Sequence, residues 1–125
     1  MNYQFQLLEY KEPIFVFGIP KAAPDTLKDR IMIFHKERIK RKIAMFHIYN
    51  FEALERIRFL NTLLYTYGKY IDEKLKSLVS TAICGDEVFF TLWTQEVLII
   101  RIKNKLLADS YKKYYKFLWK LAIKP

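Results

Sequence analysis

Two uninterrupted apolar runs, Pro13-Ile-Phe-Val-Phe-Gly-Ile19 and Ile43-Ala-Met-Phe-His-Ile-Tyr49, restrict this chain more than any other feature. A strand exposed on one face alternates apolar and polar residues, whereas a strand covered on both faces is apolar throughout. Both runs therefore read as buried strands of a parallel sheet. Between them Leu27, Ile31 and Phe34 recur at helical spacing, with Asp25 as an N-cap behind Pro24 and an end near Lys42. After the second run Leu54, Ile57 and Leu60 form another helical stripe, with Asn50 placed to cap it. Strand, helix, strand, helix is the order of a βαβ unit with a right-handed crossover and one further helix.

The second half is written differently. Thr66–Ile71 reads as a short strand and Asp72–Lys76 as a charged loop. Ser80–Cys84 and Val88–Trp93 flank Gly85-Asp-Glu87, a hairpin signal, and Thr94-Gln-Glu96 turns the chain into Val97–Ile102. Lys105–Leu121 reads as a helix with the apolar stripe Leu107, Tyr111, Tyr114, Leu118 and Leu121, and with Lys112, Lys116 and Lys120 on another face. At the N-terminus Tyr3, Phe5 and Leu7 alternate with Gln4 and Gln6, which predicts an edge strand. The expected fold class is α/β with a mixed sheet: a β-α-β-α crossover half, then a β-meander and a closing C-terminal helix. A length of 125 residues makes this one domain spanning 1–125.

Composition narrows the functional classes. Hydrophobic residues make up 52% of the chain, enough for a core, so wholesale disorder is excluded. The single cysteine, Cys84, excludes a disulfide framework and a cysteine-based zinc site. No apolar run reaches the roughly 18–20 residues that a membrane-spanning helix needs. The first residues lack the basic and apolar regions of a signal peptide. The expectation is a soluble, cytoplasmic protein without a membrane partner. Abundant Ile, Lys and Tyr with only three glycines suggests a thermophile. The net charge of +9 is concentrated. Lys36–Lys42 carries net +4 and Arg101–Lys124 net +7, which leaves the remainder slightly acidic.

Several phrases resemble one known family. They are Phe34-His-Lys-Glu-Arg-Ile-Lys-Arg-Lys-Ile43, Ile48-Tyr-Asn50, Ile83-Cys-Gly-Asp-Glu-Val88, Leu98-Ile-Ile-Arg-Ile-Lys-Asn104 and Ala108–Ala122. Taken in order over residues 13–122, they resemble the C-terminal effector domain of archaeal TrmB-type transcriptional regulators, whose fold is phospholipase D-like. Such regulators carry a winged helix-turn-helix ahead of this domain. The 12 residues before the first strand leave no room for one, so a free-standing module or a piece of a longer regulator is expected. Phospholipase D chemistry uses a His-x-Lys-x-x-x-x-Asp motif with a histidine nucleophile. Aligning Asp86 with its aspartate puts Val79 and Thr81 at the histidine and lysine positions, so only Asp86 matches. The resemblance implies a non-enzymatic regulatory domain without a cofactor, which senses a ligand such as a small-molecule effector, or mediates dimerisation as a homodimer, or does both; a DNA-binding partner chain is a further candidate partner. The alternative is a stand-alone basic nucleic-acid-binding protein.

The candidate residues follow from these readings. Arg38 shares the helical face of Leu27, Ile31 and Phe34. Either the stripe ends there and the side chain reaches solvent, or Arg38 anchors an anionic ligand or an internal carboxylate. Open α/β sheets place their crevice at the C-terminal ends of the strands, which puts Gly18, Ile19, Tyr49 and Asn50 at the mouth of a ligand site. Arg38, Tyr49 and Asn50 are thus the ligand-binding candidates. Lys36, Lys40, Arg41 and Lys42, with Lys112, Lys116 and Lys120, are candidates for nucleic-acid or partner contact. The simpler reading, and the one preferred on the residues alone, is a solvated helix end and a solvated helix face. His35 and His47 lack a cysteine or carboxylate at ligand spacing, so structural roles and no metal are expected. Cys84 is expected as a small buried hydrophobe.

Overall fold

The computed structural model describes residues 3–19, 28–71 and 78–125. Six strands form one mixed sheet: β1 (Ile14–Ile19), β2 (Met45–Asn50), β3 (Thr66–Ile71), β4 (Val79–Cys84), β5 (Glu87–Leu92) and β6 (Leu98–Lys103). Their spatial order is β3-β2-β1-β4-β5-β6. β1, β2 and β3 are parallel, and β4 joins β1 antiparallel before the β4-β5-β6 meander. The helices are α1 (Tyr3–Leu7), α2 (Lys28–Lys40), α3 (Leu54–Leu60) and α4 (Lys105–Leu121). This is the expected crossover half, meander and closing helix.

Both sheet faces are covered, which accounts for the continuous apolar runs. On one face Ile14, Val16, Met45 and Phe89 pack against Leu7, Leu8, Phe34, Ile57 and Leu60 from the α1, α2 and α3 segments. On the other, Phe15, Phe17, Phe46, Ile48 and Val88 pack against Ala108, Tyr115 and Trp119 of α4. α4 crosses the sheet, with Tyr111 on Phe90, Tyr115 on Phe15 and Phe17, and Trp119 on Phe46. Beyond it, Ile123 pairs with Tyr70 at the outer side of β3.

Gly18 sets the direction of one side chain. It has a φ of +75° and marks a register shift between Phe17 and Ile19, so that Ile19, not Gly18, pairs with Tyr49. One extra residue in a strand moves the next side chain to the opposite face. Ile19 therefore joins Val16 beneath α2. A Cβ on Gly18 would lie 2.8 Å from the Val79 carbonyl oxygen, and an L side chain is strained at this φ.

Four sequence readings are corrected. Residues 3–10 form helix α1 and a 3-10 turn rather than an edge strand. Leu7 and Leu8 are consecutive and both buried in the same cluster, which a strand's alternation does not allow. The second strand begins at Met45 and runs through Asn50. Asn50 precedes the 3-10 turn Phe51–Ala53, but its side chain makes no capping bond, because the strand's alternation carries it to the α4 face. The buried stripe of α4 runs through Ala108 and Tyr115, while Tyr114 and Leu121 are each 64% exposed. The proposed Asp25 cap and the Asp72–Lys76 loop lie outside the described residues.

Candidate functional site

A cavity of about 90 Å³ lies between α2 and the sheet. Ile14, Val16 and Ile19 of β1, and Met45, His47 and Tyr49 of β2, form its floor. Ser80 and Ala82 of β4, with Thr91 and Trp93 at the end of β5, extend that floor. Ile31, Phe34 and His35 of α2 form the roof, and Leu7 of α1 closes one side. The Trp93 indole donates to Ser80 Oγ at 2.9 Å, which fixes that part of the wall. A water molecule needs roughly 10–15 Å³ of such space, so the cavity has room for a molecule of several heavy atoms.

Arg38 holds the roof in place. It is fully buried, although the sequence offered it either solvent or an anionic partner. Its Nη1 donates to the carbonyls of Ile43 at 2.8 Å and Tyr65 at 2.9 Å. Its Nη2 donates to Thr66 Oγ1 and lies 3.1 Å from His35 Nδ1. The guanidinium thus joins the end of α2 to the entries of β2 and β3. Burial lowers its pKa to about 10. Arginine has donors only, so His35 Nδ1 must accept and the His35 proton sits on Nε2.

Both imidazoles are neutral. Burial pushes His35 down to about 3, helped by the nearby Arg38 and Arg56 guanidinium groups. His47 is held well below its usual range by burial, then by His35, Arg38 and Arg56, against a raising backbone hydrogen bond with Tyr67. A backbone bond that favours the protonated ring is one the ring donates to a carbonyl. The other ring nitrogen, Nδ1, is buried and without a partner. The two rings lie 5.7 Å apart, and His47 stacks on Tyr49 at 5.8 Å. Burial raises the Tyr49 hydroxyl to about 12 against the pull of Arg56, which hydrogen-bonds it.

The structure brings together only some of the residues singled out in the sequence. Tyr49 lines the cavity with Ile19, whereas Arg38 braces it from behind through His35. Asn50 is buried on the opposite sheet face, away from the cavity, and its Oδ1 has no partner. Lys36, Lys40, Arg41 and Lys42 are exposed at the end of α2, where Arg41 pairs with Glu37 and Glu9. Lys116 and Lys120 are exposed, but Lys112 donates to the Gly85 carbonyl at 2.7 Å. Cys84 is buried with its thiol pushed up to about 12, chiefly by burial, so it stays protonated. Asp86 sits in the β4-β5 turn, where its carbonyl accepts from the Asn104 backbone. Among the described residues no three of His, Cys, Asp and Glu gather as a metal site would require, and no helix is long and apolar enough to cross a membrane.

Sequence reasoning gave His35 and His47 structural roles, and it did not mark Arg56. The signal for His47 was a single polar side chain inside an otherwise apolar run. Nothing in the spacing of Arg56 marked it, because its approach to Tyr49 depends on how α3 sits over the sheet.

The site belongs to an α/β domain with a six-stranded mixed sheet and helices on both faces. No protein-family model matches the sequence, and no curated protein matches it. Among solved structures, the fold matches TrmBL2, an archaeal chromatin protein whose structure shows a novel mode of DNA binding. The match has a TM-score of 0.69 and 18% identity, and covers 99% of this chain. This chain spans about half of TrmBL2 (49%), and at this identity the likeness is one of fold.

Replacing Arg38 with Met removes every donor that holds Ile43, Tyr65, Thr66 and His35 together. We expect a loss of about 2–4 kcal/mol in urea unfolding, the usual cost of stranding several buried acceptors. The imidazoles make stability depend on pH. Between pH 6.5 and about 3 the unfolded chain protonates His35 and the folded chain does not. The unfolded state then binds more protons, so stability falls as pH drops below 6.5 and is insensitive to these groups well above it. At pH 5.5 the protein should be less stable than at pH 7.5, by on the order of 1 kcal/mol for each buried ring. Urea titrations at the two pH values measure this, and equal stabilities would contradict burial of the two rings.

Proposed function

We propose that this chain is a non-catalytic regulatory domain, similar to the effector part of TrmB-type transcriptional regulators, that senses a small molecule in the cavity beneath α2. One observation carries the reading: a cavity of about 90 Å³ lies beneath α2, walled mainly by apolar side chains with His35, His47 and Tyr49 among them. A concave, mostly apolar space with a few polar side chains in its wall is the usual form of a small-molecule site. Among the described residues neither the cavity wall nor Cys84 offers an activated nucleophile, which supports binding rather than turnover. α2 serves both ends of the mechanism. Its His35 and Phe34 face the cavity, while Lys36 and Lys40 face outward. Occupancy therefore biases the position of a helix that carries part of the basic surface.

A second reading, direct nucleic-acid binding, has its own support. Exposed lysines stand at the end of α2 and along α4, and TrmBL2, which shares the fold, is a chromatin protein. Dimerisation is the proposed use of the exposed apolar residues Tyr114, Phe117 and Leu121 on α4.

A thermal-shift screen of uncharged small molecules against the intact chain tests the sensing role. Hits whose stabilisation disappears in Val16→Trp, which fills the cavity, are expected. Fluorescence anisotropy with a generic DNA duplex at two salt concentrations tests the second reading, and weak binding at low salt with no salt dependence would count against it. Light scattering is expected to give a mass of two chains, and a strict monomer at high concentration would remove the dimer.

A further inference from the structure

The two edges of the sheet are finished differently. On β3 the outward backbone groups have partners. The Asn61 side chain accepts from the Gly68 N–H at 2.6 Å and donates to its carbonyl at 3.1 Å, and Ile123 exchanges two backbone bonds with Tyr70. On β6 the Asn104 N–H donates to the Asp86 carbonyl, and bonding alternates along an antiparallel strand. Leu98, Ile100 and Ile102 therefore bond to β5, while Ile99, Arg101 and Lys103 turn their N–H and C=O groups outward. Among the described residues no strand pairs with that edge. The side chains there are uncovered too. Leu98, Ile100 and Ile102 lie opposite Leu92, Phe90 and Val88, on the face that carries α4, and are 53%, 43% and 37% exposed. α4 meets β5 through Tyr111 on Phe90 and then leads away to β1 and β2. Cations commonly guard an open edge. Here Arg101 is tied back to Glu87 and Gln6, and Lys103 is the last residue of the strand.

We propose that β6 is the seam of a homodimer: a second copy of this chain adds its own β6 antiparallel, about a two-fold axis at Ile100, and the two sheets become one. The proposal rests on the two-chain reading above and puts the seam at β6 rather than on α4. Exposed apolar side chains on a helix fit many partners, whereas an edge strand also requires backbone groups in register. Only residues with outward groups can bond one another, so the pairing centres on a single residue. Ile100 and Arg101 are the centres that use most of the strand. Centring on Arg101 sets two guanidinium groups face to face, which is unfavourable. Centring on Ile100 pairs Ile99 with Arg101 and Val97 with Lys103 of the other copy, so no cation meets a cation. It also sets Ile100 against its copy and Leu98 against Ile102, which closes the apolar row on itself. The strand is thus complementary to itself in hydrogen bonding, charge and apolar surface, and this singles out a second copy as the occupant. Because the β3 edge is blocked by Asn61 and Ile123, the pairing stops at two chains instead of growing into a fibre.

Sedimentation equilibrium of the intact chain, with amide hydrogen exchange, tests the seam. The wild type should associate to two chains, and the Ile99 and Arg101 amides should become protected as concentration rises. Ile100→Lys sets two ammonium groups together at the two-fold axis and should weaken the dimer at least about thirtyfold, the effect of losing a central contact. Ile100→Cys should form an interchain disulfide under mild oxidation, since partners in a non-hydrogen-bonded pair lie about 4.5 Å apart at Cα. Ile99→Cys, which faces Arg101 of the other copy, should not, and the native Cys84 thiol is buried. The wild-type exchange and the Ile100→Cys cross-link decide the matter if Ile100→Lys does not fold. A dimer that survives Ile100→Lys, or whose Ile99 and Arg101 amides exchange freely, overturns the seam at β6 and leaves the two-chain reading standing. Loss of that dimer in Phe117→Lys then places the seam on α4. Open-ended oligomers overturn the closed pairing. A strict monomer at millimolar concentration defeats the two-chain reading as well and leaves the edge to a strand of another protein.

Discussion

The buried guanidinium of Arg38 is the constraint on which the rest of this architecture depends. It is the end point of three chain segments: the last turn of α2, the entry to β2 through the Ile43 carbonyl, and the entry to β3 through Tyr65 and Thr66. A charge in an apolar interior is costly unless dipoles surround it. Here backbone carbonyls supply those dipoles at places where the chain has left regular structure and its oxygens need donors. Two problems of burial are met by one side chain. Because a guanidinium has a fixed fork of donors, it also sets the relative position of the segments it joins.

That geometry extends to the imidazoles. Arg38 donates to His35 and so decides which His35 nitrogen carries the proton. The charge of Arg38 and its neighbour Arg56 helps keep both rings neutral, although burial contributes more. Neutral rings have distinct donor and acceptor edges, whereas protonated rings would present donors only. The polarity of the cavity wall is thus a consequence of the anchor behind it. On the other side of the sheet the chemistry is simpler. Tyr115 and Trp119 of α4 pack on Phe15, Phe17 and Phe46, and this aromatic layer gives the sheet a firm back against which α2 can lie.

A second polar anchor ties the opposite end together. Glu87 is buried and accepts from the Arg101 guanidinium and the Tyr10 hydroxyl, and Arg101 also reaches Gln6. These bonds fasten the N-terminal helix to β5 and β6. They hold the carboxyl of Glu87 below its usual pKa, chiefly through Arg101. They add to the burial of Leu7 and Leu8 in holding α1, a single short turn whose helical state depends on tertiary contacts.

Much of this was legible in local pattern. The apolar runs of β1 and β2, the hairpin at Gly85 and the span of α4 follow from periodicity and turn chemistry, which act between residues close in sequence. The choice of face did not follow. α4 is aromatic around much of its surface, and Tyr114 and Tyr115 both complete a helical stripe. The aromatic bed of Phe15 and Phe17 selects Tyr115. Residues 3–10 alternate like a strand, yet the shared burial of Leu7 and Leu8 makes them helical. Arg38 stood out in the sequence as a charge on an apolar stripe, but its acceptors lie up to 28 residues away. The cavity joins side chains from four strands or their ends and two helices, with His47 and His35 meeting across it. The sequence alone determined which segments become strands and helices, because those preferences are local. Tertiary structure decided which polar atoms are satisfied and which are left open, because that depends on contacts between segments distant in the chain.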